Sequence, residues 1–295
     1  MKLNIKGLPF FHNFPPSTDV CIELTWIMII QIYEIQTPHE AEALIELGVD
    51  HVGSVILSES KWKVPSVRDT IDFARSVGAR SSLIPLFGNV DAISRALEYY
   101  QPDIVHFCET LSSNGDILNR CKILVDNQVT IKKRFPAMRI MRSIPIAPPG
   151  LADRIPTLDL AAEFEPVSDI FLTDTLLVET STADHDPNRQ PVSGFIGITG
   201  RICDWQMARR LIDACDIPVV LAGGISPENA ADGVKRVNPA GVDSCTGTNA
   251  VDAQGRPIRF RKDLLKVKQL VEAVRRAHVN RHLPADKEGG RSHSC

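Results

Sequence analysis

From Ile27 onward, eight short apolar runs recur along the chain: Ile27–Tyr33, His51–Leu57, Ser81–Leu86, Ile104–Phe107, Met138–Ile144, Ile170–Thr173, Pro218–Ala222 and Gly241–Ser244. Most are continuous rather than alternating, the pattern of strands covered on both faces. Between them the period lengthens to that of amphipathic helices. Thr37, Pro38 and Glu40 form a capping-box start, with Gly48 as the stop. Ser226-Pro227-Glu228 opens another helix in the same way. A last helix, near Lys262–His278, places Leu264, Val267, Val271 and Val274 on one stripe. Eight strand–helix alternations predict an α/β chain folded as a (β/α)8 barrel. An open, doubly wound sheet shares that alternation, because counting strands does not show that the sheet closes. The barrel is expected over residues 26–280, after an extension (1–25) rich in Phe and Pro and before a flexible tail (281–295).

Composition narrows the classes. The chain has 295 residues and a net charge of −3, which argues against a general nucleic-acid binder. Residues 256–295 nevertheless hold eleven Lys/Arg against four Asp/Glu, read as a solvated helix face and tail. The longest apolar stretch, Trp26–Ile32, falls far short of the ~20 residues a membrane span needs. No signal-peptide pattern opens the chain. The seven cysteines are scattered, with no C-x-x-C pair, so neither a zinc knuckle nor a disulfide framework is expected and a cytoplasmic location fits. Asp184-His185-Asp186, in the long Leu176–Ser193 connection, lacks a further ligand at metal-site spacing. That connection is read as a solvated loop acting as a lid, and no metal is expected.

The chemistry of such a barrel belongs at the C-terminal ends of its strands, with phosphate beside the late loops. Three glycine-bearing turns fall there: Gly197-Ile198-Thr199-Gly200-Arg201, then Gly223-Gly224 after the seventh strand, then Thr246-Gly247 after the eighth. Glycine lets backbone N–H groups approach an oxyanion, and a following helix N-terminus adds a favourable dipole. Gly197, Thr199, Gly200, Gly223, Gly224, Thr246 and Gly247 are therefore candidate phosphate-binding residues.

Those turns also carry a family resemblance. Gly197-x-Thr-Gly-Arg-x-x-Asp204-Trp205, Leu221-Ala-Gly-Gly-Ile-Ser-Pro-Glu-Asn229 and Val242-Asp243-Ser-Cys-Thr-Gly247 resemble the motifs of phosphoribosylanthranilate isomerase. Gly48-Val-Asp-His-Val-Gly53 is similar to its second-strand motif, and Arg261-Lys262-Asp263 to its lead into the last helix. The likeness runs from about Ile29 to His278. It implies a cofactor-free Amadori rearrangement of an aminated ribose 5-phosphate by a monomer or homodimer. The ligand would be a phosphorylated sugar-type molecule, with neither nucleic acid nor membrane as partner. Phe171-Leu-Thr-Asp174-Thr175 resembles the end of the family's sixth strand and makes Asp174 the general acid.

Three departures accompany the likeness. Where the family's first strand ends in a catalytic Cys followed by Gly, this chain has Tyr33-Glu34. Tyr33 and Glu34 are the candidates left at that position, yet a phenol of ordinary pKa near ~10 is a poor base at neutral pH. Where the family holds the anthranilate carboxylate with Arg, this chain reads Lys61-Trp62-Lys63. Either lysine offers charge without the bidentate fork, and Trp62 offers stacking. After the fourth strand come His106 and Cys108, expected on opposite faces of the strand and so not a direct pair. Three readings stand: an isomerase with a substituted base, a paralogue for another phosphosugar, and a phosphosugar-binding protein without activity.

Overall fold

All eight apolar runs form strands, and helices separate them. The structure is a computed structural model that describes residues 28–110, 117–178 and 190–282. In chain order it runs β1 (Ile29–Ile32), α1 (Pro38–Glu46), β2 (His51–Ile56), α2 (Pro65–Ser76), β3 (Arg80–Pro85) and α3 (Val90–Tyr100). Next come β4 (Ile104–Phe107), α4 (Ile117–Arg134), β5 (Arg139–Ile146), α5 (Thr157–Phe164), β6 (Ile170–Thr175) and α6 (Trp205–Ala214). The chain continues through β7 (Val219–Leu221), α7 (Ala230–Val237), β8 (Gly241–Ser244), a hairpin of β9 (Asn249–Val251) and β10 (Pro257–Lys262), and α8 (Leu264–His282). The proposed extension, the tail beyond His282 and the Asp184-His185-Asp186 triplet lie outside the described residues.

The strands are parallel and the sheet closes on itself, which removes the open-sheet alternative. Closure is the β1–β8 pairing, with Ile29 opposite Gly241 and Gln31 opposite Asp243. Outward side chains such as Ile30, Ile32, Phe171, Leu221 and Val242 form one apolar layer with the helices. Inward side chains, among them Val55, Met141, Leu172 and Val220, fill the barrel.

The capping box of α1 forms as read, Thr37 Oγ1 accepting from Glu40 N at 3.3 Å. Two helix readings need correction. Helix α7 begins at Ala230 rather than Ser226, because Asn229 staples the turn: its Oδ1 accepts from Ser226 N and its Nδ2 donates to Gly224 O. The α8 stripe is Val267, Leu270, Val271, Val274 and Ala277, whereas Leu264 is 45% exposed. Leu264 is the first helical residue, just after the Asp263 cap, where the helix has not yet reached the barrel wall.

Aspartates tie the N-terminal rim of the barrel. Asp50, Asp103 and Asp169 precede β2, β4 and β6, and accept from Ile30 N (2.8 Å), Ser81 N (2.9 Å) and Ile140 N (2.7 Å). Each also meets a cation: Arg275, Arg80 and Lys132 respectively. The opposite rim is left free for chemistry.

Candidate active site

The loops after β6, β7 and β8 converge on one pocket lined by Thr199, Gly200, Gly223, Gly224, Thr246 and Gly247. Their shapes are fixed by neighbouring side chains: Thr175 Oγ1 donates to Arg201 O at 2.7 Å, and Thr199 Oγ1 accepts from Arg201 N at 3.1 Å. Gly197 stands outside this lining and serves the site differently. Its φ is +96°, and a Cβ there would lie 2.1 Å from Asp174 Oδ2. Only glycine lets the loop close over that carboxyl group.

A second lobe opens beside the first and shares Asp174, Ile198, Asp243 and Cys245 with it. Its walls are Val55, Ile84, Leu86, Leu172, Ile196 and Ile198. The returning arm of the β6–α6 connection covers it by pairing with the end of β4. Ile196 N donates to Cys108 O, and Thr110 N to Gly194 O, both at 2.8 Å. Glu109 is fastened behind it by Arg142, which is fully buried and donates from Nη1 at 2.6 Å.

Asp174 therefore stands at the junction of the two lobes. It keeps some surface open to the cleft while protein crowds its other sides. Burial pushes its pKa up to about 7, opposed by one backbone donor, Thr175 N at 2.8 Å. Asp243 is a second such group, also pushed up to about 7 by burial, with Gln31 Nε2 donating to it at 3.1 Å. The sequence showed Asp243 only as the start of a glycine turn. The signal was present, since it is a charged residue at an inward position of a strand.

Tyr33 reaches into the barrel and lies on Gly53, where a Cβ would come within 2.3 Å of the ring. Its hydroxyl is bonded to Ser82 Oγ at 2.5 Å and to His106 Nδ1 at 2.7 Å; His106 Nε2 meets Ser143 Oγ at 2.8 Å. Burial and the nearby Asp243 raise the Tyr33 phenol well above 10, and burial lowers His106 to about 3. Both are neutral near pH 7. Glu34 adopts a left-handed φ of 66° and is buried, its carboxylate accepting from Arg259 Nε (2.6 Å) and Phe260 N (3.2 Å) of the hairpin. Its charge is committed to that pair.

The expected opposite facing of His106 and Cys108 is wrong. Residues two apart on a strand share a face, and both line the second lobe. They still form no pair, because both ring nitrogens of His106 are engaged and burial, first of all, raises the Cys108 thiol well above 9. Lys61, Trp62 and Lys63 are not brought into the cleft. Trp62 packs edge-on against Tyr99 of α3, centroids 5.7 Å apart, and Lys63 Nζ sits 4.9 Å from the same ring. Lys61 is exposed at the end of a short 3-10 turn. The same Tyr99 ring also receives Arg68 of α2 at 4.7 Å.

No family model matches the chain. An N-(5'-phosphoribosyl)anthranilate isomerase from Methanothrix thermoacetophila is 28% identical over 249 residues, 83% of this chain and 97% of that protein. Isomerase 2 of that name from Methanosarcina mazei is 29% identical over 50% of this chain and 59% of its own length. Among solved structures, monomers of a dimeric phosphoribosylanthranilate isomerase from Thermotoga maritima superpose with a TM-score of 0.57. That match has 17% identity and covers 84% of this chain and 99% of that one. The fold is a closed (β/α)8 barrel with two paired lobes at its mouth. Over most of its length the chain is similar to phosphoribosylanthranilate isomerases, at 25–28% identity.

Proposed function

We propose that the chain is an isomerase of the phosphoribosylanthranilate isomerase type, opening and rearranging an aminated ribose 5-phosphate, with Asp174 as general acid. The observation that carries this is the position of Asp174 where the phosphate pocket meets the second lobe, in surroundings that keep its proton near neutral pH. With the phosphate in the turns at Gly200, Gly223, Gly224 and Gly247, the sugar ring would lie against Asp174. Its proton goes to the ring oxygen as the bond from that oxygen to C1 breaks. The nitrogen lone pair then forms the C1–N double bond. Such a positioned acid contributes typically 10²–10⁴-fold. We place the working unit in one barrel over residues 26–280, active as a monomer or homodimer. Among the described residues no helix is long and apolar enough to cross a membrane.

A second reading, a substrate with a different group on the amine, is favoured by the second lobe. None of its described lining residues is Lys or Arg, and the Trp62 segment is held outside on Tyr99. An aromatic carboxylate would find no guanidinium fork there, whereas an uncharged substituent suits the apolar walls.

The test is turnover of phosphoribosylanthranilate by purified protein, followed as loss of its fluorescence, beside Asp174→Asn. A rate that falls 10²-fold or more in the variant is the expected result. Full activity in Asp174→Asn removes the acid assignment. No turnover by the wild type removes anthranilate, and the same assay with uncharged N-substituents then tests the second reading. A phosphosugar that raises the melting temperature without being converted indicates a binding protein instead.

A further inference from the structure

After ring opening, something must take the proton from C2, and the residue just past β1 is Tyr33. Its hydroxyl is bonded to Ser82 and His106, and the neighbouring Glu34 is paired with Arg259. We infer that Asp243 on β8 is the general base, facing Asp174 across Ala222; this rests on the functional reading above.

The strand register sets the two carboxyl groups at one level. Val220 pairs with Gly241 and Leu221 with Val242, which brings Ala222 level with Asp243. Leu172 pairs with Val220, which brings Asp174 level with Ala222. Thr173 clips the intervening strand in place, its Oγ1 donating to Ala222 O at 3.0 Å and accepting from Ala222 N at 2.9 Å. Two strand spacings separate the backbones by roughly 10 Å. The short acidic side chains point inward from both sides over a small alanine, and both line both lobes. A sugar whose phosphate occupies the glycine turns would have C1 and C2 between them.

Their surroundings divide the labour. Gln31 Oε1 only accepts, so His51 Nδ1–H donates to it at 3.3 Å, and this turns the amide NH₂ toward Asp243. Asp243 thus receives a side-chain donor and feels the positive charge of Lys262, both favouring the carboxylate, whereas Asp174 has a single backbone donor. Of two neighbouring buried carboxyl groups that share a proton, the one with the stronger donor and a cation near it ionises first. Asp243 is then the carboxylate while Asp174 holds the proton. In the step itself the C2–H bond breaks and its electron pair forms C1=C2. The C1=N pair returns to nitrogen, and the proton moves to Asp243. The resulting enolamine becomes the ketone by gaining a proton at C1 and losing the one on the C2 hydroxyl, so the rearrangement is redox-neutral overall.

The experiment compares wild type, Asp243→Asn and Asp243→Glu on the substrate that the wild type turns over. The expected result is a 10²–10⁴-fold fall in kcat for the Asn variant, with KM within about threefold and partial recovery in the Glu variant. The acid limb of the wild-type pH profile should vanish in Asp243→Asn. Facing Asp243 are Asp174 on β6, Tyr33 just past β1, Lys262 from β10 and Cys245 just past its own strand; Asp174, needed protonated, sets the alkaline limb instead. Retained kcat in Asp243→Asn, or a loss confined to KM, overturns the assignment. A wild type inactive on every aminated ribose 5-phosphate instead overturns the functional reading, and the base assignment with it. The wild-type control separates the two failures.

Discussion

Aspartates occupy both ends of this barrel, and the two ends use them in opposite ways. At the N-terminal rim Asp50, Asp103 and Asp169 each take a strand N–H and face an Arg or Lys. For Asp103 burial works against ionisation, but donors from Ser81 and Arg80 outweigh it and hold the carboxyl below its usual range. At the C-terminal rim burial outweighs the few donors of Asp174 and Asp243, and both are raised to about 7. Donors and a cation hold a carboxylate ionised as a strand clamp; where burial outweighs them, the carboxyl keeps its proton up to near-neutral pH. The barrel separates ionised clamps from proton-holding carboxyls by where it places N–H groups and cations.

The sharpest way to break this contrast is to move one of the reactive carboxyls without changing it. Gly197→Ala puts a methyl group into the space of Asp174 Oδ2 and strains a φ of +96°. A misplacement on the order of 1 Å can cost about 10²-fold in rate. We expect kcat to fall by about that factor while the protein stays folded by circular dichroism. An unchanged kcat would mean that Asp174 does not need its present position.

The clamp end should show the reverse. Asp103→Ala removes the acceptor for Ser81 N, Ser81 Oγ and Arg80 Nη1, all at 2.9 Å. Hydrogen bonds to a charged group are worth about 1.5–3 kcal/mol. At about 2–4 °C per kcal/mol for a chain of this size, the melting temperature should drop by roughly 5–10 °C. Turnover per folded molecule should stay within about twofold. A variant that lost kcat at full stability would erase the division between the ends.

How much of this was legible depends on how local the cause was. The strands were readable because each is a contiguous apolar run, and the glycine turns because glycine is visible in a sequence. Asp174 was readable because it ends such a run. The β9–β10 hairpin was not, since Pro257–Arg261 alternates exposed and half-buried and only Lys262 is buried. The fate of Glu34 depends on Arg259, 225 positions away, and that of Trp62 on Tyr99 of another helix. Asp243 needed the register of β7 against β8 before it could be set level with Asp174. Contacts made by closure of the barrel leave no mark in any single segment.

The smallest effect is a pH dependence of stability whose sign differs between the two ends. Asp174 and Asp243 have folded pKa values near 7, above the unfolded value of about 3.9. Their contribution is fully present below pH ~4 and is lost as pH rises through about 7, because the unfolded chain releases those protons more readily. Asp103 is shifted down, so its contribution is present above pH ~4 and is lost as pH falls through its folded value. Asp174→Asn has no such proton to lose. It should melt several degrees above the wild type at pH 8, with the gap closing toward pH 4. Asp103→Ala should melt below the wild type at pH 8, with that gap narrowing only at the acid end. Calorimetric melting temperatures at pH 4, 6 and 8 measure both gaps. If the Asp174→Asn gap were the same at all three, its carboxyl would ionise alike in folded and unfolded chains, and the reactive end would be no different from the clamped one.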